Sequence, residues 1–331
     1  MDSDNGRRDF LKKLAFSGAA VGTAGTAAAG TASTGTAADK AASPIQVPRR
    51  KLGKTNTEIS MLALGLGSVF TKPRSEDPED TEVILQRALD HGINYWDTAN
   101  NYGPSQKMLG PMIERNRDKI FLVSKSAERG YDGFKKELEI SLTTMRTDHL
   151  DLFHIHSMNP DKDTDFGAIE KGALRAALEA KEQGIIKNVG ITGHSGAAVL
   201  KQAVEAWDLD AIMTVLPVDR PDNGAYEDVL LPVVRKKNMG LLAMKTNRHA
   251  RNSDLPGAQL VRYALSLKGV SAAVVGLDSI VHLMDNIAMC TNFTPFNKDE
   301  MALMTRMAKE GLAFAGSPPW ENPEYWDGAI V

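Results

Sequence analysis

Short apolar segments alternate with longer amphipathic segments along this chain from about Pro44 onward. Eight apolar segments have the length and composition of buried strands: 61–66, 95–97, 120–124, 150–156, 186–192, 211–216, 240–244 and 272–276. Strands that alternate with helices form parallel sheets, because each crossover connection is long enough to hold a helix. Eight such units in roughly 250 residues predict an α/β fold of the (β/α)8 TIM barrel type.

The connections between these segments have the pattern of helices that pack on a sheet. After the third strand, apolar side chains recur every three or four residues, at Phe134, Leu138, Leu142 and Met145. A doubly wound open sheet is the alternative topology, and a glycine-rich nucleotide loop would follow its first strand. The segment Gly65-Leu66-Gly67-Ser68 lacks the third glycine at the required spacing, so the barrel is favoured.

Two segments flank the predicted barrel within a domain expected to cover residues 49–331. Residues 49–64 place apolar flanks around the polar segment Gly53-Lys54-Thr55-Asn56, which is typical of an N-terminal β-hairpin. A helical or irregular C-terminal tail follows the last barrel helix, and residues 316–326 within it are rich in aromatic residues and proline. This tail is expected either to fold over the barrel mouth or to lie on the outside.

The first 38 residues have a different composition from the rest of the chain. Arg7-Arg8-Asp9-Phe10-Leu11-Lys12 precedes a stretch, Leu14 to Ala38, in which 22 of 25 residues are Ala, Gly, Thr or Ser. This stretch is too weakly apolar to span a membrane, and the order of its parts resembles a twin-arginine export signal. We expect residues 1–38 to be a signal peptide for the twin-arginine export machinery and residues 39–48 to be a linker. The plain alternative is a disordered Ala/Thr tail.

The charge balance and the cysteine content exclude several classes of function. The net charge of the 331-residue chain is −3, from 39 Lys and Arg against 42 Asp and Glu. Such a balance does not draw a protein to nucleic acid or to an anionic membrane. The single cysteine, Cys290, excludes an intramolecular disulfide. The predicted strand ends carry no His, Asp or Glu cluster with metal-ligand spacing, so no metal is expected.

Four reactive side chains follow three successive predicted strands, at the end of a barrel where active sites are built. Asp97 ends the second strand and Tyr102 follows it, Lys125 ends the third strand, and His156 ends the fourth. Each alone has a plain structural explanation, such as a helix cap or a solvated lysine. Together they predict one site, because an ammonium beside an apolar strand needs a carboxylate partner. His154 is expected on the opposite face of its strand from His156, in a structural role.

This group of side chains is suited to delivering a proton. A nearby ammonium stabilises a phenolate, so Lys125 would allow Tyr102 to act as an acid near neutral pH. Asp97 would keep Lys125 charged and in place, and the imidazole of His156 can donate a hydrogen bond to a carbonyl oxygen. The arrangement predicts protonation of a carbonyl oxygen while the carbonyl carbon receives hydride.

The sequence around these residues resembles the aldo-keto reductases, which are NAD(P)H-dependent (β/α)8 enzymes. The resemblance rests on Asp97-Thr98-Ala99-x-x-Tyr102-Gly103, Val123-Ser124-Lys125 and Asp151-Leu152-Phe153-His154-Ile155-His156, and it extends from about Arg49 to Met289. It implies that Tyr102 is the proton donor, that Lys125 and Asp97 tune it, and that His156 orients the substrate. The implied substrate is an aldehyde or ketone, or the corresponding alcohol in the reverse direction.

The resemblance also implies which residues bind the nicotinamide coenzyme. They follow the last four strands: Thr192, Met244, Lys245, Asn247, Arg248, Gly276, Ser279, His282 and Asn286. The chain departs from the family where Gly193 replaces an asparagine and where Met244 replaces an aromatic residue. The sixth strand also lacks the usual glutamine. Lys245, Asn247 and Arg248 are expected either to contact the pyrophosphate or to form a solvated loop.

The segment after the eighth strand bears on the choice between NADPH and NADH. Family members usually place a basic residue there against the 2′-phosphate of NADPH, whereas this chain has Asp278. A carboxylate repels a phosphate and accepts a ribose hydroxyl. Ser279, His282 and the start of the following helix would hold a phosphate more weakly. NADPH is the expected coenzyme on the general preference of the family, and NADH is the alternative.

The sequence therefore predicts an exported, periplasmic oxidoreductase of the aldo-keto reductase type. Because a free coenzyme is not regenerated outside the cytoplasm, we expect the coenzyme to be loaded before export and held tightly. The altered coenzyme pocket suggests an alternative, a coenzyme-binding regulatory or accessory barrel with little turnover. A barrel lyase or isomerase would need paired carboxylates or metal ligands at the strand ends, and it is disfavoured.

Overall fold

The computed structural model describes residues 44–74, 78–220, 224–247 and 255–313. Strands β3 to β10 close into a parallel barrel in which each strand pairs with the next and β10 pairs with β3. All eight segments predicted as strands contribute to it, which confirms the predicted TIM barrel. The described strands are β1 (Arg49–Lys51), β2 (Glu58–Ser60), β3 (Leu62–Gly65), β4 (Tyr95–Asp97), β5 (Phe121–Ser126), β6 (Leu152–Ile155), β7 (Val189–Gly193), β8 (Ala211–Val215), β9 (Gly240–Met244) and β10 (Val270–Gly276).

Helices follow the barrel strands and cover the outside of the sheet. On the fourth helix, Phe134, Leu138 and Met145 are buried, as the spacing of its apolar residues predicts. The described helices are α1 (Ser68–Thr71), α2 (Pro78–Asp90), α3 (Ser105–Asn116), α4 (Tyr131–Met145), α5 (Phe166–Ile169), α6 (Arg175–Glu182), α7 (Ala197–Ala206), α8 (Leu231–Lys236), α9 (Gly257–Ser266), α10 (Ile280–Thr291) and α11 (Lys298–Ala313). Turns of π-helix, Glu170–Leu174 and Tyr226–Leu230, precede α6 and α8.

The predicted N-terminal hairpin is present and lies against the amino-terminal ends of the barrel strands. Strands β1 and β2 pair antiparallel, with Arg49 opposite Ser60. Gly53 has a φ of +51°, and a Cβ there would stand 2.2 Å from the backbone nitrogen of Gly240 at the start of β9. Leu52 is fully buried and contacts the same glycine. The hairpin therefore covers the end of the barrel opposite to the predicted site.

The strand register shows which side chains fill the barrel. Lys125 on β5 pairs with His154 on β6, and His154 pairs with Gly190 on β7. Paired residues of a sheet share a face, as do residues two positions apart in a strand. A Cβ at Gly190 would stand 2.5 Å from Nδ1 of His154, so the glycine leaves room for the imidazole. The expectation that His154 faces away from His156 is wrong, because His154 lies on the same face as Lys125.

A second small core joins the last described helix to the barrel. Met304, Met307 and Ala308 of α11 are buried with Val218 and Tyr263. The part of the tail in α11 is helical, whereas residues 314–331, with the aromatic segment 316–326, lie outside the described residues. The predicted signal peptide, residues 1–38, and the first part of the linker also lie outside them. Of the helices in the described ranges, none is long and apolar enough to span a membrane.

Candidate active site

The segment that carries Tyr102 connects β4 to α3 at the carboxyl-terminal end of the barrel. Backbone hydrogen bonds join it to β5, since Asn100 N donates to the carbonyl of Lys125 over 3.1 Å. At its other end, the hydroxyls of Thr98 and Ser105 lie 2.7 Å apart. Ser105 Oγ also donates to the carbonyl of Leu66 after β3 over 2.6 Å. The segment is thus attached to β5 on one side and to the loop after β3 on the other.

Lys125 on β5 contacts both the carboxylate that ends the neighbouring strand β4 and the phenol that follows β4. Its Nζ lies 2.6 Å from Oδ2 of Asp97 and 2.8 Å from the carbonyl oxygen of Thr98. The same nitrogen lies 3.3 Å from Oη of Tyr102 and 4.5 Å from the centroid of its ring. A buried ammonium requires such a set of acceptors. The arrangement holds a cation next to the phenol.

His156 completes the predicted group of four residues. It follows the last residue of β6, and its backbone nitrogen donates to the carbonyl of Ser126 over 2.8 Å. Its ring lies edge-on to that of Tyr102, with centroids 5.6 Å apart and an angle of 76° between the planes. The structure therefore brings Asp97, Tyr102, Lys125 and His156 together at one end of the barrel.

His154 lies beside Lys125 on the neighbouring strand, in the barrel interior. It is completely buried, and neither ring nitrogen has a hydrogen-bond partner within the part of the chain that the structure describes. Burial, followed by the charges of Lys125 and His156, lowers the pKa of His154 well below its ordinary value. A charged imidazole would be unfavourable next to an ammonium in this environment. The structure thus places a neutral imidazole next to Lys125.

Several of the predicted coenzyme-binding residues surround the same end of the barrel. Thr192 on β7 is buried, and its Oγ1 accepts a hydrogen bond from Ser157 N over 2.8 Å. Met244 ends β9, and Lys245 follows it with a φ of +59°. Asn247 Oδ1 accepts a hydrogen bond of 2.8 Å from Thr246. Arg248 lies outside the described residues.

The remaining predicted coenzyme-binding residues follow β10, which ends at Gly276. Ser279 caps α10, and its Oγ accepts a hydrogen bond from the backbone of His282 over 3.3 Å. His282 Nδ1 lies 2.5 Å from a carboxylate oxygen of Asp278. Asn286 Nδ2 donates to the carbonyl of His282 over 2.7 Å. These contacts organise the first turn of α10.

The ionisation of the Asp278 carboxylate depends on its neighbour His282. Partial burial acts to raise the pKa of Asp278, but the hydrogen bond and charge of His282 outweigh burial and lower it. The charge of Arg74 contributes in the same direction as His282. The carboxylate therefore stays ionised at neutral pH, next to the imidazole of His282.

Arg74 is a residue of this region that the sequence analysis missed. Its guanidinium donates to the carbonyl oxygens of Leu277 and Asp278 over 3.0 and 2.9 Å, and its Nε lies 2.7 Å from Asp80. Only 1% of its side chain is exposed. Arg74 thus attaches the loop after β3 to the loop after β10. The local sequence Lys72-Pro73-Arg74 carries no signal for this, because a basic residue next to proline is typical of an exposed loop.

Two features around α10 are suited to the base and the phosphate groups of a nicotinamide coenzyme. Asn286 is buried, and its Oδ1 has no hydrogen-bond partner within the described ranges, so it can accept from an amino group of a base. The start of α10, capped by Ser279, presents backbone N–H groups suited to a phosphate. Among the described residues, no group of three or more His, Cys, Asp or Glu side chains could hold a metal ion.

Comparison with known proteins identifies the family of this chain. The sequence model of the Aldo/keto reductase family matches residues 61–251. An uncharacterized oxidoreductase of Bacillus subtilis, YqkF, is 30% identical over 311 residues, which cover 80% of this chain and 97% of that protein. L-galactose dehydrogenase of Arabidopsis thaliana is 24% identical over 306 residues, with 78% and 92% of the two chains covered.

A solved structure has the same fold. The aldo-keto reductase AKR11C1 of Bacillus halodurans superposes with a TM-score of 0.65 at 20% identity, and the match covers 79% of this chain and 96% of that one. The family match and the similarity to YqkF establish the relationship. The chain belongs to the aldo/keto reductase family, and it is an NAD(P)-dependent oxidoreductase that acts on carbonyl groups.

Proposed function

We propose that this protein reduces an aldehyde or ketone, or oxidises the corresponding alcohol, with Tyr102 as the proton donor. One observation carries the proposal: Oη of Tyr102 lies 3.3 Å from the ammonium of Lys125, which is itself paired with Asp97 at 2.6 Å. A cation at this distance stabilises the phenolate that remains once the proton has left. In the oxidative direction, the same phenolate accepts the proton of the alcohol.

Each residue of the group has a distinct role in this proposal. Tyr102 transfers its proton to the carbonyl oxygen, and Lys125 stabilises the resulting negative charge. Asp97 holds the ammonium in place inside the barrel, where an unpaired cation would be costly. The imidazole of His156, which lies edge-on to the phenol, donates a hydrogen bond to the carbonyl oxygen and fixes its direction. Tyr102 and His156 together orient the carbonyl for the reaction.

A bound nicotinamide coenzyme supplies the hydride for this reaction. NADPH is the proposed coenzyme, held by Thr192, Met244, Lys245, Asn247 and Arg248 on one side and by Gly276, Ser279, His282 and Asn286 on the other. In favour of NADPH, His282 lies against Asp278 and reduces the repulsion that this carboxylate exerts on a phosphate. NADH is the alternative, because Asp278 can also accept a hydrogen bond from a ribose hydroxyl.

The reaction can be tested with purified protein. Oxidation of NADPH and of NADH is followed with a panel of aldehydes, ketones and aldoses, and reduction of both oxidised coenzymes with the matching alcohols and sugars. Sugars belong in the panel because the Arabidopsis relative is an L-galactose dehydrogenase. Failure to turn over any member of the panel with either coenzyme would contradict the proposed activity.

The role of Tyr102 is tested with the Tyr102→Phe variant. We expect kcat/KM for the carbonyl to fall by about 10²- to 10⁴-fold, while coenzyme binding stays intact, because only the acidic hydroxyl is removed. Tyr131→Phe is the matched control, since the hydroxyl of Tyr131 donates to Glu179 on α6 and not to the site. Unchanged carbonyl reduction in Tyr102→Phe would mean that another group donates the proton.

A coenzyme-binding barrel with little turnover is the second candidate. The observation that favours it is at Gly193, where the family commonly has an asparagine. A Cβ at this position would stand 2.8 Å from the side chain of Leu200 and 2.9 Å from the carbonyl oxygen of Met158, so a larger residue does not fit. Stoichiometric coenzyme binding without turnover of the panel would support this candidate over the enzyme.

We also propose that residues 1–38 direct the protein through the twin-arginine export machinery to the periplasm. The support is the order of Arg7-Arg8, the mildly apolar stretch and the small residues that follow. In a cell fractionation experiment, an Arg7→Lys, Arg8→Lys double variant should remain in the cytoplasm. Mass spectrometry of the exported protein should find stoichiometric nicotinamide coenzyme. Export of the double variant would contradict the signal, and an exported protein without coenzyme would contradict loading before export.

A further inference from the structure

Arg129 lies in the connection between β5 and α4, and its guanidinium reaches the backbone that follows β6. Nε and Nη2 donate to the two carboxylate oxygens of Asp163 over 2.6 and 2.9 Å. Nη2 also donates to the carbonyl oxygens of His156 and Ser157, over 2.8 and 3.3 Å. One planar group thus binds a carboxylate and two successive carbonyl groups at the residue that orients the substrate in the proposed reaction.

The backbone around His156 depends on such contacts because it lies outside the regular strand. Strand β6 ends at Ile155, and the chain turns at Ser157, whose φ is +55°. Ser157 N donates to Thr192 Oγ1 over 2.8 Å on the side away from β5. Arg129 holds the carbonyl groups of the same turn. The position of the imidazole is therefore set by side chains on both neighbouring elements.

Asp163 connects Arg129 to the loop that follows this turn. Only 2% of its side chain is exposed, against 26% for Arg129. Its Oδ2 accepts a further hydrogen bond from Asn159 N over 2.7 Å. A buried carboxylate needs a charged partner with matching geometry, and a guanidinium supplies two parallel N–H groups. The ion pair between Asp163 and Arg129 thus attaches the loop after β6 to Arg129.

A turn of π-helix holds the backbone of Arg129 from the other side. Within Glu170–Leu174, Gly172 has φ −97° and ψ −105°, which breaks the helical geometry. Ala173 N donates to the carbonyl oxygen of Arg129 over 2.8 Å. A Cβ at Gly172 would stand 2.2 Å from the same oxygen, so only glycine permits this approach. Irregular turns of this kind are frequent at functional sites.

We propose that Arg129 is a positioning residue that holds the imidazole of His156 in its productive orientation. Asp163 fixes its guanidinium, and the π-helical turn that contains Gly172, here called the glycine turn, fixes its backbone. The proposal rests on the proposed function in so far as His156 orients the carbonyl. A displacement of about 1 Å at such a group can lower turnover by roughly 100-fold, since the reacting atoms no longer align.

The first test compares Arg129→Lys and Arg129→Met with Arg115→Met as a matched control. Arg115 pairs with Glu82 on the protein surface, away from the site. Arg129→Lys keeps a charge beside Asp163 but loses the planar fork that binds His156, so it remains informative if Arg129→Met fails to fold. We expect kcat/KM for the carbonyl to fall by about 10- to 100-fold in both Arg129 variants. Coenzyme affinity should change less than twofold, and a larger change would mean that Arg129 serves the coenzyme site instead.

A double variant separates a positioning role from a general loss of structure. In a His156→Gln background, Arg129→Lys should lower kcat/KM by less than about twofold, because its effect acts through the missing imidazole. A full additional loss in that background would overturn the proposal.

A second substitution disturbs the same group without changing any charge. Gly172→Ala should reproduce the loss of kcat/KM, since its methyl group would displace the carbonyl of Arg129. Gly167→Ala on the preceding helix is its control, because a Cβ there makes only an ordinary contact of 3.4 Å. Wild-type kcat/KM in Gly172→Ala would contradict the role of the glycine turn.

Nuclear magnetic resonance of the imidazole groups tests positioning without any turnover. The chain has seven histidines, so the signal of His156 can be assigned by its loss in His156→Gln. This signal should shift in Arg129→Lys and stay in place in Arg115→Met. If the protein turns over no carbonyl and the signal still shifts, the proposed function fails and the positioning role stands. A signal that does not shift overturns the positioning role, whatever the activity.

Discussion

Lys125 and Asp97 form an ion pair with 2.6 Å between Nζ and Oδ2, inside the barrel, where only 1% and 4% of the two side chains are exposed. Neither charge can be solvated by water, so each depends on the other for compensation. Nζ of Lys125 also lies 4.5 Å from the centroid of the Tyr102 ring, so the same ion pair bears on the stability of the barrel and on the proposed chemistry.

Removal of the carboxylate from this pair should be costly. We expect Asp97→Asn to lower the free energy of unfolding by about 3–5 kcal/mol, because it leaves the ammonium of Lys125 buried and uncompensated. Urea denaturation measures this change. The control is Glu114→Gln, which breaks an exposed pair with Arg146 and should cost less than about 1 kcal/mol. Equal costs for the two substitutions would show that water reaches Lys125.

The buried imidazole of His154 should make stability depend on pH. The folded protein keeps His154 neutral, because burial and neighbouring charges lower its pKa, whereas the unfolded chain takes up a proton below about pH 6.5. This difference is absent above pH 6.5, so the free energy of unfolding falls as the pH drops below that value, by up to about 1.4 kcal/mol per pH unit from this group.

Urea titrations at several pH values test the contribution of His154. The slope between pH 6.5 and 5 should be smaller in His154→Gln than in the wild type. His149→Gln serves as the control, since it replaces a partly exposed imidazole that pairs with Asp148, and not a buried one. An unchanged slope in His154→Gln would mean that this imidazole is protonated in the folded protein.

The glycine opposite His154 should tolerate no side chain. A Cβ at Gly190 would stand 2.5 Å from the imidazole and 2.7 Å from the carbonyl oxygen of Ala211, and a backbone atom cannot move away easily. Gly190→Ala should therefore cost about 1–3 kcal/mol of unfolding free energy in urea denaturation. Gly130→Ala, where a Cβ meets nothing within 4 Å, should stay within about 0.5 kcal/mol of the wild type.

The carboxylate of Asp278 should disfavour a coenzyme with a 2′-phosphate. We expect Asp278→Asn to raise the ratio of kcat/KM for NADPH to that for NADH by about three- to tenfold, since a nearby like charge is removed at a partly exposed position. The effect should shrink at high salt. Asp285→Asn, on the exposed side of α10, should leave the ratio unchanged. An unchanged ratio in Asp278→Asn would place the carboxylate away from the phosphate, and a lower ratio would show that it does not repel the phosphate.

The barrel and the positions of its reactive residues could be predicted because both depend on local patterns. Apolar segments at regular intervals define the strands, and Asp97, Lys125 and His156 come directly at their ends. Strands β6 and β7 begin two and three residues later than predicted for a physical reason. Before β6, the side chain of Asp151 accepts the backbone N–H of Leu122 over 2.8 Å, so only a single bridge joins residues 150 and 186.

The missed features depend on contacts between distant parts of the chain. Arg74 and Arg129 stand in polar connections, where a basic residue is ordinarily exposed, and their burial depends on residues about 200 and 30 positions away. The face of His154 can be predicted from the sequence. Residues two positions apart in a strand share a face, and His154 and His156 are two positions apart, so the opposite expectation was wrong. No local pattern marks Gly172, whose role depends on a carbonyl from another connection.

The two ends of the barrel have separate tasks. The interior is filled by side chains, and the N-terminal hairpin covers its amino-terminal end, where Leu52 is buried against Gly240. The group of Tyr102 and His156 lies at the opposite end. Substitutions in the hairpin should therefore change the stability of the protein without changing its substrates, whereas the loops after the strands can diverge in sequence and change the substrates without unfolding the barrel.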